Sequence, residues 1–360
     1  MVHSGTSPLV IGWILLISAL TLKGCGYEPN SWTYRPVSRG DQLIGTTPVI
    51  YMQQVHFGTD AGSFIAVAQQ NGTLVWEVTT EGRIRSSPTV ADNILFFGSG
   101  DGKVRALNAR GGVQVWEFDA NASVETCPTV NERLGILYFG ADNGIMYAVD
   151  LEEGTKIWEY QTDGAVRSSG ALSQNQRFNQ VYFGSDDGFL YSVSESDGRL
   201  AWRFNASGPV RTEPMLHYDQ VLFGSGNGIF YALSERLGTV NWEFDAKAPI
   251  YTSAAVHRGF VYFGCDDGMM YALDEMNGAV VWTYNAFSPI RSSKAPALDA
   301  GQIYFGTEAG VLHAVSDLTG EKSWEFQSGG PIITAVVWYY DMIYFGSDKM
   351  YRLKSSGRLE

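Results

Sequence analysis

The sequence predicts an all-β fold: an eight-bladed β-propeller of four-stranded antiparallel blades, its ring closed by the N-terminal strand completing the last blade. Three observations lead there. A Phe-Gly pair recurs, ending at Gly58, Gly98, Gly140, Gly184, Gly224, Gly264, Gly306 and Gly346, with spacings of 40, 42, 44, 40, 40, 42 and 40 residues. Trp76, Trp116, Trp158, Trp202, Trp242, Trp282 and Trp324 each stand 18 residues beyond their glycine. Short β-branched and aromatic runs are separated by Asp-Gly and Asn-Gly, which are hairpin turn signals.

A period near 40 fits either a helical solenoid or a propeller blade. The local pattern selects the blade, because no segment carries a helical apolar stripe of useful length. In the second repeat the four strands read Ile84–Val90 (a), Ile94–Gly98 (b), Val104–Leu107 (c) and Val113–Phe118 (d). Eight Phe-Gly units have only seven downstream tryptophans, and the eighth would fall beyond Glu360. An unused copy of strand d stands at the other end of the chain, in "SWTYRP" around Trp32. The spacing of 44 from Trp32 to Trp76 is an allowed period. The N-terminal strand is therefore expected to supply strand d of the last blade, which puts d outermost and a at the axis. Closure removes exposed sheet faces and ties down both termini.

The 360 residues are 45% hydrophobic, ample for a large core, and the net charge of −13 repels phosphate backbones, so nucleic acid is excluded as a partner. Leu9 to Leu22 is a 14-residue apolar run, the length of a signal-peptide core rather than of a membrane span. Leu22-Lys23-Gly24-Cys25 follows directly and resembles a bacterial lipobox, which implies lipidation of Cys25. A simple secretory signal and an uncleaved anchor are the alternatives. Gly26 stands where an inner-membrane retention signal carries Asp, so the outer membrane, on its periplasmic side, is the expected location. The expected organisation is a signal peptide with lipobox over 1–25, a tether over 26–31, the propeller over 32–354 and a tail over 355–360.

The unit "FGSxDGxxYALxxxxGxxxW" resembles the quinoprotein-type (PQQ-like) repeat, from about Trp32 to Leu353. The resemblance implies that Trp32, Trp76, Trp116, Trp158, Trp202, Trp242, Trp282 and Trp324 dock neighbouring blades. An eight-bladed ring of this repeat behind a lipobox also resembles the BamB family of outer-membrane assembly lipoproteins. That implies a monomeric, non-catalytic scaffold whose partners are other envelope proteins, the barrel-assembly machinery among them. The alternatives are a quinoprotein (PQQ-dependent) dehydrogenase and a ligand-sensing propeller outside the cytoplasm. The dehydrogenases resemble one another in adjacent cysteines and pocket-building insertions, and this sequence has no Cys-Cys pair and no long insertion. No cofactor is expected.

The remaining chemistry reads as structural. Asp101, Asp142, Asp186, Asp187, Asp266 and Asp267 stand in tight turns on separate blades, where Asp caps its own backbone, so no calcium site is expected. His3, His56, His217, His257 and His313 show no metal-ligand spacing. Cys127 and Cys265 lie three blades apart, too far for a bridge. One position at the start of strand a holds Ile44, Arg85, Glu125, Arg167, Arg211, Tyr251, Arg291 and Ile333 around the ring. Arg85, Arg167, Arg211 and Arg291 either pair with the turn carboxylates or form an electropositive channel mouth suited to an acidic ligand. On the opposite face, Trp338, Tyr339, Tyr340, Arg177 and Phe178 are candidate partner contacts. Packing over the closing seam is the other reading of Trp338.

Overall fold

Eight four-stranded antiparallel sheets form the ring. The computed structural model describes residues 31–37, 43–173, 178–292, 294–299 and 301–357. Residues 1–30, where the signal peptide, Cys25 lipidation and tether are expected, and Arg177 lie outside the described residues. The first blade is built from Val49–Tyr51, Gln54–Gly58, Ser63–Ala68 and Leu74–Thr79, running outward as strands a to d. The last blade takes Val337–Tyr339, Met342–Gly346 and Met350–Lys354 from the C-terminus, and its outer strand is Trp32–Tyr34. Trp32 pairs with Arg352, Thr33 with Tyr351 and Tyr34 with Met350, so the two chain ends close the ring.

Strand a is shorter than the sequence suggested. In the second blade it is only Thr89–Ala91, and strand d is Gln114–Asp119. Residues 84–88 precede strand a without joining the ladder. The cause is chemical. Pro88 has no N–H to give a ladder. The preceding hydroxyl takes the bond instead: Ser86 Oγ accepts from the Gly98 N–H at 2.9 Å. Thr46, Thr126, Thr212, Thr252 and Thr334 do the same for Gly58, Gly140, Gly224, Gly264 and Gly346 at 2.7 to 3.2 Å. A Cβ on those glycines would collide with the branched residue four places before the neighbouring blade's proline position; at Gly98 it would lie 2.4 Å from Val124. The Phe-Gly pair is thus a close-approach site between consecutive blades.

The outer strand carries the second recurrent contact. Seven of the c–d pairs have a bulge just past the small residue opposite the tryptophan, as at Ala232 paired with Trp242, and a bulge raises local twist. The Trp242 ring lies over Gly278 of the next blade's c–d turn, and its N–H donates to the Glu275 carbonyl at 3.1 Å. Trp32 lies over Gly72 and donates to Gln69 at 2.9 Å. Trp76, Trp116, Trp158, Trp202 and Trp282 repeat both contacts, and Trp324 lies over Gly357. The turn glycine has a positive φ, 73° at Gly278, and a Cβ there would meet the indole at 2.5 Å.

Two of these packing positions hold histidine. His56 stands in a b strand where most siblings have Phe or Tyr, and His313 in a c strand where most have Tyr. Burial pushes both pKa values down to about 4. The folded chain then binds fewer protons than the unfolded chain between about 4 and the ordinary value near 6.5. Stability should therefore fall as pH drops through that window, and His56→Tyr with His313→Tyr should flatten the fall in urea titrations. Separately, Gly278→Val should lower stability by about 2–4 kcal/mol through the indole clash and the positive φ. Trp32→Ala should cost about 3–5 kcal/mol although its strand lies at the opposite end of the chain from the other three strands of its blade.

Candidate functional site

The ring has two faces. The d–a connections and b–c turns emerge on one, here the mouth face; the a–b and c–d turns emerge on the other, the turn face. On the mouth face Arg85 forks onto Asp60 with both bonds at 2.9 Å. Arg167 does so on Asp142, Arg211 on Asp186 and Arg291 on Asp266, at 2.7 to 3.1 Å. Each arginine lies 25 residues beyond its aspartate and belongs to the next blade. Arg291 also reaches Glu308 at 2.8 Å, and Arg167 approaches Asp186 at 3.6 Å. The carboxylates raise the pKa of all four guanidinium groups. The arginines therefore act as blade-to-blade staples, their charges met by aspartate.

The same spacing covers the positions without arginine. Glu125 lies opposite Gly100 and bonds Arg83 instead. Tyr251 lies opposite Gly226, whose absent side chain leaves room for the phenol. The equivalent in the first blade is Gly45, not Ile44. Ile44 packs on Gly346, as Ile84 packs on Gly58. The sequence reading slid by one residue there, because Gly45 offered no side chain to align with arginine.

Inside the mouth, side chains of alternate blades converge. Ser87, Ser169 and Ser253 turn sideways to accept the Thr47, Cys127 and Glu213 backbone N–H groups at 2.9 Å. Glu213 meets Lys294 across the channel at 3.3 Å. Cys127 and Glu213 both favour the charged Lys294 and push its pKa up. The lysine keeps 32% of its side-chain surface accessible, and that surface faces the channel, where Glu213, Lys294, Met215 and Val337 line a space of about 320 Å³. Sequence reasoning missed this crossbar, since its two ends are 81 residues apart with no repeated spacing. Cys127 and Cys265 are both buried and free, and burial pushes the Cys265 thiol up to about 12. No group of three His, Cys, Asp or Glu is placed to hold a metal among the described residues.

The turn face carries the aromatic candidates. Tyr339 and Tyr340 meet edge-to-face at 4.5 Å, at the tip of an a–b turn. Trp338 points inward and packs against the core between the seventh and eighth blades, not over the seam between the eighth and first. Phe178 is half-buried and does not approach Tyr340 in the ring, standing four blades away. Tyr218, in the a–b turn His217–Gln220, lies on this face as the sequence suggested, whereas sequence reasoning missed Phe287 on the mouth face, at a turn position where other repeats have Asn121, Ser207 or Lys247.

This architecture and its repeat define a PQQ-like repeat β-propeller. A family model described as "Outer membrane protein assembly factor BamB" matches residues 32–181, 178–285 and 238–359, and the chain belongs to that family. Among curated proteins none matches in sequence. Among solved structures, BamB from Moraxella catarrhalis superposes with a TM-score of 0.73 at 17% identity, over 90% of this chain and 98% of that one. The computationally designed Ika8 protein gives 0.76 at 16%, over 91% and 100%. Quinohemoprotein alcohol dehydrogenase from Comamonas testosteroni gives 0.76 at 14%, over 92% of this chain and 77% of the enzyme. At these identities the likeness is one of fold.

The staples are surface ion pairs with good bidentate geometry, so each is worth about 1 kcal/mol or less. Replacing Arg85, Arg167, Arg211 and Arg291 together by alanine should lower the urea midpoint measurably in dilute buffer. In 1 M salt the difference from the parent chain should shrink, because screening weakens such pairs.

Proposed function

We propose that this propeller is a non-catalytic scaffold lipoprotein that holds envelope proteins in position during assembly of outer-membrane β-barrels. The family membership supports the class of protein. One observation carries the scaffold reading. Phe287, Tyr218 and Tyr340 are 88%, 75% and 66% exposed, and their backbones sit at φ of 57°, 52° and 47°. Left-handed backbone is unfavourable for a bulky L-residue, and the two tyrosines meet the adjacent rings of Tyr339 and His217 rather than the core. Related turns place Asn121, Lys247 or Asn93 at such angles. Exposed aromatics are frequent interface anchors, and contact with a partner accounts for their placement. Lipidation of Cys25 would keep both faces close to the membrane.

Phe287→Asn, Tyr218→Asn and Tyr340→Asn should each leave stability unchanged or raise it by up to about 1 kcal/mol, since Asn tolerates this backbone. The triple variant should lose recovery of barrel-assembly proteins in a crosslinked pull-down from envelope membranes, where the parent chain retains it. Recovery unaffected by the triple variant would count against these contacts. Loss of stability in the single variants would show that the rings pack in the fold. Added quinone and calcium should produce no absorbance change and no dye reduction; turnover would replace the scaffold with an enzyme.

A further inference from the structure

We infer that the seam between the second and third blades, on the turn face, is a docking groove. Its occupant is a partner polypeptide segment that presents an apolar side chain flanked by lysine or arginine. Four other seams are bridged by a repeated side-chain pair, and the seam between the first and second blades, where Ala109 takes the carboxylate's place, is bridged by Tyr51 to Asn93 at 2.7 Å. The residue ending strand a, or its neighbour, reaches the carboxylate that opens the next blade's c–d turn: Asn131 to Glu195 at 2.9 Å, Ser173 to Glu235 at 2.6 Å, His217 to Glu275 at 3.0 Å, Arg258 to Asp317 at 3.1 Å. Between the second and third blades the corresponding residues are Ala91 and Leu151. Neither can make that bond, and a groove of about 300 Å³ is left.

Its floor is apolar, formed by Ile94, Phe96, Val115 and Trp116 together with Leu151. Val115 is 52% exposed, while Phe96 and Trp116 are buried beneath it. Asp92, Glu132 and Glu152 also line the groove, all exposed, and no lysine or arginine pairs with any of them among the described residues. A broader hollow beside Tyr218, Gln220 and Met276 has a mixed polar and apolar lining and is bridged by His217 and Glu275.

Charge selects the occupant. Three carboxylates around the groove, on a chain of net charge −13, repel a second copy of itself, nucleic acid and an anionic membrane surface alike. The volume takes one or two apolar side chains. Basic residues on either side of such an anchor would meet the carboxylates at the rim. The inference does not depend on which machinery the propeller serves: the groove is tested with purified protein, and the envelope pull-down can succeed or fail separately.

The probe is a fluorescein-labelled peptide of about ten residues with a central Phe-Leu flanked by lysines, compared with its glutamate counterpart. The full mature chain should bind the lysine peptide with micromolar affinity and leave the glutamate peptide free. Asp92→Asn, Glu132→Gln and Glu152→Gln together should weaken binding about tenfold and reduce its salt dependence. Glu81→Gln, Asp163→Asn and Asp245→Asn, the same charge change on the mouth face, should leave it unaltered. Ala91→Gln with Leu151→Glu supplies polar side chains at the two bridge positions and should abolish binding while the urea midpoint confirms folding. If that pair fails to fold, Val115→Lys, on an exposed position, serves instead and should also abolish binding. The inference is overturned if the lysine peptide does not bind, if both charge triples weaken binding equally, or if the groove variants bind as the parent does.

Discussion

The ring depends on one contact made eight times: an indole laid over a glycine in the turn that follows the next blade's strand c. A tryptophan buries a large apolar area and brings one donor that needs an acceptor. Here the turn supplies both needs, a bare Cα for the ring and a carbonyl for the N–H. The glycine is required twice over, for its positive φ and for the missing Cβ. Because Trp32 makes this contact from the N-terminal strand, the last blade is docked onto the first by the same means that join the others.

Nearer the axis the contacts become polar. Buried hydroxyls take the Phe-Gly amide that a longer strand a would have bonded, and sideways serines join alternate neighbours. On the mouth face, arginine and aspartate clip blade to blade, and where arginine is missing a glycine often stands in the aspartate's place. These layers fix the blades from rim to hub. The turns are then free to vary, and the variation is uneven: exposed aromatics at some tips, an unbridged apolar seam at one place. Rigid strands with differentiated turns suit recognition rather than chemistry.

Much of this was legible because repetition converts a three-dimensional contact into a fixed spacing. The 18-residue interval from Phe-Gly to Trp marks the two halves of inter-blade docking, and the spare "SWTYRP" disclosed how the ring closes. The 25-residue interval from aspartate to arginine was equally available, and it explains why the mouth is stapled rather than openly basic. Strand a was overread because Ser, Thr and Pro look like crowding residues in sequence, whereas in the fold their hydroxyls replace ladder bonds. The Lys294–Glu213 crossbar and the open seam could not be read at all. The first joins blades at no repeated interval. The second is defined by what Ala91 and Leu151 fail to reach.

The central claim is that the seam made by the chain's two ends is as firmly held as the others. Amide hydrogen exchange across the native ring tests it most directly. The account predicts that Trp32–Tyr34 and Met350–Lys354 exchange as slowly as the matching strands Gln114–Asp119 and Lys103–Asn108 in the second blade. Exchange of the two terminal strands at the rate of fraying ends, with the other seven blades protected, would contradict it.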